Sequence, residues 1–212
     1  MNPAIFSSHL WAVVVFTLSY GLIYGINNSL TEFMYLLPGA HLVHIPSGFK
    51  LLFVLIGGPW AAIGIALVCL TAGLWFMFPG GLGLCLALAA VNGLAPLWAL
   101  KLLLGKACLP PDLSRLSVRK FLQLGCLFAF LNTSLNQMVL YWSGVTDNFT
   151  GGMVVMFLGD LTGCYLVMLL VQAVGRRVYR RPRPSDEKDL NSYQMCVKIL
   201  MDFSVFLPPN FH

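Results

Sequence analysis

Charge is what this sequence has least of. Lys, Arg, Asp and Glu make up 10% of its 212 residues, against about 25% in an ordinary soluble domain. With 58% hydrophobic residues and a mean hydropathy of +0.79, the chain reads as a polytopic membrane protein. Other absences narrow the chemistry. No CxxC pair occurs, and the six cysteines are scattered, mostly inside apolar runs, where a thiol is a small filler. Neither a metal site nor a disulfide framework is expected from that spacing. There is no HExxH, no nucleophile elbow around Ser47 and no phosphate-cradling loop, and only one Asp falls within an apolar run. Catalysis therefore finds no foothold, and no cofactor is expected. The first apolar run, 10–26, lacks a basic leader and a small-residue cleavage site, so it reads as a retained helix.

What is present is helix of membrane length. A bilayer core needs about 20 apolar residues per helix, and 10–26, 59–78, 83–104, 120–142 and 153–174 qualify. The stretch 30–57 is apolar but broken by Glu32, Pro38-Gly39, His41, His44, Pro46 and Lys50. Its second part, 45–57, reads as a short spanning helix, and 30–43 as an interfacial or re-entrant segment. The fold class is an all-α transmembrane bundle of about six helices with a broken second segment. Residues 1–175 form the integral membrane domain, and 176–212 a basic juxtamembrane linker and cytoplasmic tail. In that tail, 195–207 is too short to span and suits an amphipathic surface helix.

Basic residues set the orientation. Lys101, Lys106, Arg115, Arg119 and Lys120 crowd the connection after the fourth helix, and Arg176, Arg177, Arg180, Arg181 and Arg183 follow the sixth. The connections 27–44, 79–82 and 143–152 hold no Lys or Arg. Positive residues stay cytoplasmic, so both termini are expected inside a bacterial plasma membrane. Two sequons, Asn27-Asn28-Ser29 and Asn148-Phe149-Thr150, then fall in outward loops. The net charge of +5 belongs to these membrane flanks; it suits anionic lipid and gives no case for nucleic acid.

The informative residues are those a membrane penalises. Ionisable groups in the bilayer cost several kcal/mol and turn toward a bundle interior or cavity. Glu32, Lys50 and Asp160 qualify. Counted along their helices, Lys50 and Asp160 lie at similar depth in the outer half, where an ion pair would offset two burial costs; the alternative is that Lys50 snorkels outward. Asn92, Asn132, Asn136 and Gln137 form a second polar tier, with Asn132 and Asn136 on one helix face. His41 and His44 are three apart, but Pro46 interrupts a helix just beyond, so they read as outward interfacial residues. Gly159 and Gly163 form a small-xxx-small packing pair.

Three short stretches carry a resemblance. Pro46-Ser47-Gly48 opens a short apolar helix that ends in Gly57-Gly58-Pro59; Leu116-Ser117-Val118-Arg119-Lys120-Phe121-Leu122 precedes the fifth helix; Phe157-Leu158-Gly159-Asp160-Leu161-Thr162-Gly163 lies in the sixth. In this order they resemble the bacterial membrane-associated sensor domain of the MASE type, first class. That family opens the helix with Trp-Pro-Pro-Ser/Thr-Gly and carries Trp-Leu-Gly-Asp-x-x-Gly; here His44-Ile45 and Phe157 replace the tryptophan motifs, and Lys50 stands where a small or apolar residue is usual. The resemblance implies an integral sensory domain, here stand-alone and shortened, that signals through a partner carrying a kinase or cyclic-dinucleotide enzyme. Its candidate ligand site comprises Pro46, Ser47, Gly48, Lys50, Asn92, Asn132, Asn136 and Asp160. The rival reading is a six-helix small-molecule transporter or its substrate-binding subunit, since broken helices near polar residues also mark transport sites.

Overall fold

A computed structural model describes residues 3–31, 35–37, 40–41, 43–104 and 118–179. Five helices account for nearly all of them: α1 (Pro3–Thr31), α2 (Ile45–Ala72, extended by a π-helical turn over Gly73–Met77), α3 (Leu82–Leu104), α4 (Val118–Trp142) and α5 (Phe149–Tyr179). Between α1 and α2, β1 (Tyr35–Leu37) and β2 (Ala40–His41) pair as a short antiparallel ribbon. The all-α class expected from the sequence is correct. The expected tail helix at 195–207, Glu32 and the basic connection 105–117 lie outside the described residues.

Among the described residues the helix count is five rather than six, and one residue accounts for the difference. The expected segments 45–57 and 59–78 are joined through Gly58, whose φ of 51° and ψ of −132° are not helical. That left-handed φ is open to glycine at little cost, and Pro59 after it has no N–H to continue the ladder. The contacts along α1 show how far the chain turns there. His9 stacks on Trp60 at 4.3 Å, Phe16 meets Phe53 at 5.5 Å, and Tyr24 meets His44 edge-on at 6.4 Å. Tyr24 also donates from its hydroxyl to Met77 Sδ at 3.9 Å. Both ends of α2 thus come to the Tyr24 level of α1, while its middle lies at the His9–Phe16 level. A straight helix of 33 residues from Ile45 to Met77 would hold its ends about 50 Å apart. α2 is a hairpin.

Its first arm, 45–57, is about 20 Å long, short of the roughly 30 Å hydrocarbon core. The second arm, 59–77, is a full crossing. Side-chain contacts set the direction of every pass. The first arm runs parallel to α3 and α5, with Lys50 at Asn92, Ser47 at Asp160 and Gly48 against Val167. The second runs antiparallel to α3, with Ala62 beside Gly93 and Gly73 beside Cys85. α4 is antiparallel to both neighbours, pairing Asn136 with Asn92 and Asn132 with Asp160. The chain therefore makes six alternating passes in five helices, and the second pass is only half complete.

α2 is the hub, packing on α1, α3 and α5, while α3–α4 and α4–α5 close the rest. Two apolar clusters flank it. One joins Phe16 and Tyr20 of α1 to Val54, Ala61, Ile65 and Val68. The other joins Leu51 to Ala95, Ala99, Leu124, Phe128 and Cys164. Outward-facing side chains such as Trp11, Leu18, Leu22, Leu102 and Leu170 are apolar and exposed, the surface lipid requires. Among the described residues, four segments are long and apolar enough to cross a membrane: His9–Leu30, Ile45–Met77, Leu82–Leu103 and Phe149–Val171. α4 falls outside that set because Asn132, Thr133, Asn136 and Gln137 interrupt it, and all four are buried. This polar cluster of α4 is turned inward, toward the bundle and away from lipid.

Helix α1 reaches Thr31 and so absorbs the first sequon. Asn27 is buried at 2% exposure, not placed in a loop. Asn148 does lie in the connection before α5, where its Oδ1 accepts from Gly151 N at 2.9 Å as a helix cap.

Candidate functional site

The half-length pass is docked at its start by backbone as well as side chains. His44 N donates to the carbonyl of Gly159 at 3.2 Å, and Ile45 N to Asn27 Oδ1 at 3.2 Å. Pro46 follows at the first turn, where a missing N–H is harmless, and Ser47 N donates to His44 O at 3.1 Å. The N–H groups of His44, Ile45 and Ser47 are thus occupied, and Pro46 has none to satisfy, as burial favours. The approach is close because Gly163 has no side chain. A Cβ there would overlap the His44 carbonyl, and one on Gly48 would overlap the Gly163 carbonyl and Val167. The small-xxx-small pair of α5 packs, as expected, but against a helix start and not a helix flank.

From that junction a chain of polar side chains runs through the bundle. Ser47 Oγ donates to Asp160 Oδ1, and Asn132 Nδ2 donates to Asp160 Oδ2 at 2.7 Å. Asn136 Nδ2 donates to the Asn132 carbonyl at 2.8 Å and its Oδ1 at 3.2 Å. Asn92 Nδ2 donates to Asn136 Oδ1 at 3.1 Å and to Leu88 O at 2.7 Å. Lys50 Nζ closes the chain by donating to Asn92 Oδ1. Lys50 is 3% exposed and Asp160 4%, so neither charge reaches the surface. Lys50 does not snorkel, and it does not pair directly with Asp160. Three asparagines stand between the charges, satisfying hydrogen bonds that a bare ion pair would leave open.

Lys50 and Asp160 share one level of the bundle, joined through Asn92, Asn136 and Asn132.

Above the network, toward the end opposite the basic termini, is a cavity of about 100 Å³. Lys50, Asn92, Asn132, Asn136 and Asp160 form its floor; Met77, Phe78, Leu88, Leu140 and Met156 line its wall. The π-helical turn Gly73–Met77, closed by Phe78 N donating to Gly73 O at 2.8 Å, also borders it; such turns recur at functional sites. His44, half-buried, lines the cavity too. The side chain of His41 lies outside the described residues.

Of the eight residues singled out from the sequence, Ser47, Lys50, Asn92, Asn132, Asn136 and Asp160 form one connected network. Pro46 and Gly48 serve the docking of the helix start instead. Gln137 is buried but turns to α5, donating to Met156 Sδ at 3.4 Å over the space left by Gly152. Sequence reasoning missed Asn27 and Tyr24. A polar residue at the end of an apolar run reads as the start of a loop, and only the tertiary fold shows α1 continuing past it.

Neither a curated protein nor a solved structure matches the chain. The sequence does match the family MASE1 over residues 11–208, a span that takes in all three resembling stretches and every residue of the polar network. The chain belongs to the MASE1 family of membrane-associated sensor domains.

Proposed function

We propose that the protein is a membrane sensory module without catalytic output, in which occupancy of the polar cavity biases the docked half-helix and is read by another protein. One observation carries this reading. A buried Lys and a buried Asp, each costly in lipid, are held in one network that fastens the start of a broken helix beside a cavity. A ligand or partner group touching Lys50, Asp160 or the amides between them would compete with the bonds that hold that helix. Domains of this family occur in membrane sensors that pair with signalling outputs. The expected partner accordingly carries a kinase or cyclic-dinucleotide enzyme, and the basic helix ends, facing the cytoplasm, are its contact surface along with anionic lipid.

A half-helix at mid-membrane also suits transport, and one experiment separates the two. The chain is co-expressed with the signalling enzyme it copurifies with, and Asp160→Asn is compared with wild type. The sensory reading expects altered output with no solute accumulating in vesicles. Accumulation that disappears in Asp160→Asn, with output unchanged, favours the transporter.

A further inference from the structure

We infer that the cavity takes a small zwitterion of the α-amino-acid class, its carboxylate on Lys50 and its ammonium on Asp160. The inference rests on the sensory reading above and names what is sensed. The first support is hydrogen-bonding capacity. An ammonium has three donors, and Lys50 gives one to Asn92 Oδ1; it lines the cavity with two to offer. A carboxylate has about four acceptor sites. Asp160 uses one on each oxygen, for Ser47 and Asn132, and lines the same cavity with one more on each. Donor and acceptor surpluses of opposite charge thus face one space.

Charge balance is the second support. The network as built holds one cation and one anion, both nearly fully buried. A ligand bearing net charge would leave an uncompensated ion at mid-membrane, which is strongly unfavourable. A zwitterion adds none, and it meets each fixed charge with its opposite. Size and shape are the third. About 100 Å³ is far below the roughly 300–1,000 Å³ of a pocket for drug-sized ligands, which leaves room for a molecule of a few heavy atoms. Met77, Phe78, Leu140 and Met156 above the floor would face a hydrogen or a short aliphatic side chain.

The test uses the full chain purified in detergent, with thermal unfolding and calorimetric titration against glycine, L-alanine and L-valine. Acetate and methylammonium, the two halves of the zwitterion, are the controls. At least one amino acid is expected to raise the unfolding temperature at a concentration where neither half does so. Its binding should weaken at least tenfold in both Lys50→Met and Asp160→Asn. Should either variant fail to fold, Leu88→Phe decides, since it narrows the cavity without removing any member of the network and should abolish the shift. Binding that survives Leu88→Phe lies elsewhere and overturns the inference. So does acetate or methylammonium binding as well as the amino acid, or no amino acid acting on folded protein. If none binds while Asp160→Asn still alters partner output, the zwitterion assignment falls and the sensory reading stands.

Discussion

Lys50 and Asp160 should be energetically coupled although they do not touch, and a double-mutant cycle measures this. Asp160→Asn keeps the shape of the side chain but removes the anion. Lys50 is then a cation at 3% exposure without a counter-charge, and removing one partner of a buried pair typically costs about 3–5 kcal/mol. The asparagine also meets the Asn132 amide, whose Nδ2 now donates to Oδ2, so one of the two amides must flip or lose its bond. The relay of three asparagines softens the loss by spreading the Lys50 charge over amide dipoles. An expected cost of about 3 kcal/mol, the lower end of that range, follows.

Lys50→Met leaves the opposite ion, but Asp160 keeps Ser47 and Asn132 as donors and sits beside the start of a helix. Hydrogen bonds to the charged group and the positive helix end each favour a carboxylate. The cost should therefore be smaller, about 2 kcal/mol, toward the low side of what removing a hydrogen-bond partner from a charged group costs. The double variant removes both charges and with them the main penalty of each single change. Its destabilisation should fall short of the sum by about 1–2 kcal/mol, as for residues sharing one network. The assay is denaturant unfolding in detergent micelles, with helicity as the probe. Additive costs, or Lys50→Met more damaging than Asp160→Asn, would refute the claim that the six side chains act as one electrostatic unit.

Three further outcomes follow from the backbone. Gly163→Ala places a methyl group into the His44 carbonyl, which cannot rotate aside, and should destabilise by about 1–3 kcal/mol; Gly125→Ala, whose Cβ meets only the Cys164 side chain at 3.4 Å, should cost far less in the same unfolding assay. Gly58→Ala forces a residue with Cβ into φ 51° and should cost about 1 kcal/mol or more, whereas Gly83→Ala, with open space around it, should be neutral or slightly stabilising by the same measurement. Trp75 and Trp142 are 78% and 74% exposed at the end of the bundle away from the basic termini, where aromatic side chains anchor to the membrane interface. In single-tryptophan variants reconstituted with brominated lipids, both should be quenched more by shallow than by deep bromines.

Much of this was legible in the sequence, for a physical reason. A membrane penalises polar side chains so strongly that Lys50, Asn92, Asn132, Asn136 and Asp160 stand out against an apolar background, and all five converge. Gly57-Gly58-Pro59 signalled a break, and it is one. What the sequence could not convey was geometry beyond the local chain. A direct Lys50–Asp160 bond was weighed because charge attracts charge, but the asparagines between them depend on how α3 and α4 pack. Asn27 reads from the sequence only as part of a loop sequon for the same reason, its docking role set by Ile45 eighteen residues later.

The half-length pass explains why cavity, charges and glycines occur together. A helix that stopped at mid-membrane against lipid would strand its first N–H groups in hydrocarbon, a cost of several kcal/mol for each. Only contact with other helices can satisfy them, so the start of α2 must lie in the bundle interior, and close enough for backbone to meet backbone. That requirement selects Gly48 and Gly163. A short arm inside a bundle of full-length helices leaves the rest of its track to the chain before it, where β2 packs on α5, and the cavity lies beside His44 at the start of the arm. The floor of that space holds Lys50 of α2 with polar side chains from α3, α4 and α5. Asp160 answers the helix end, Lys50 balances Asp160, and the asparagines carry the balance across.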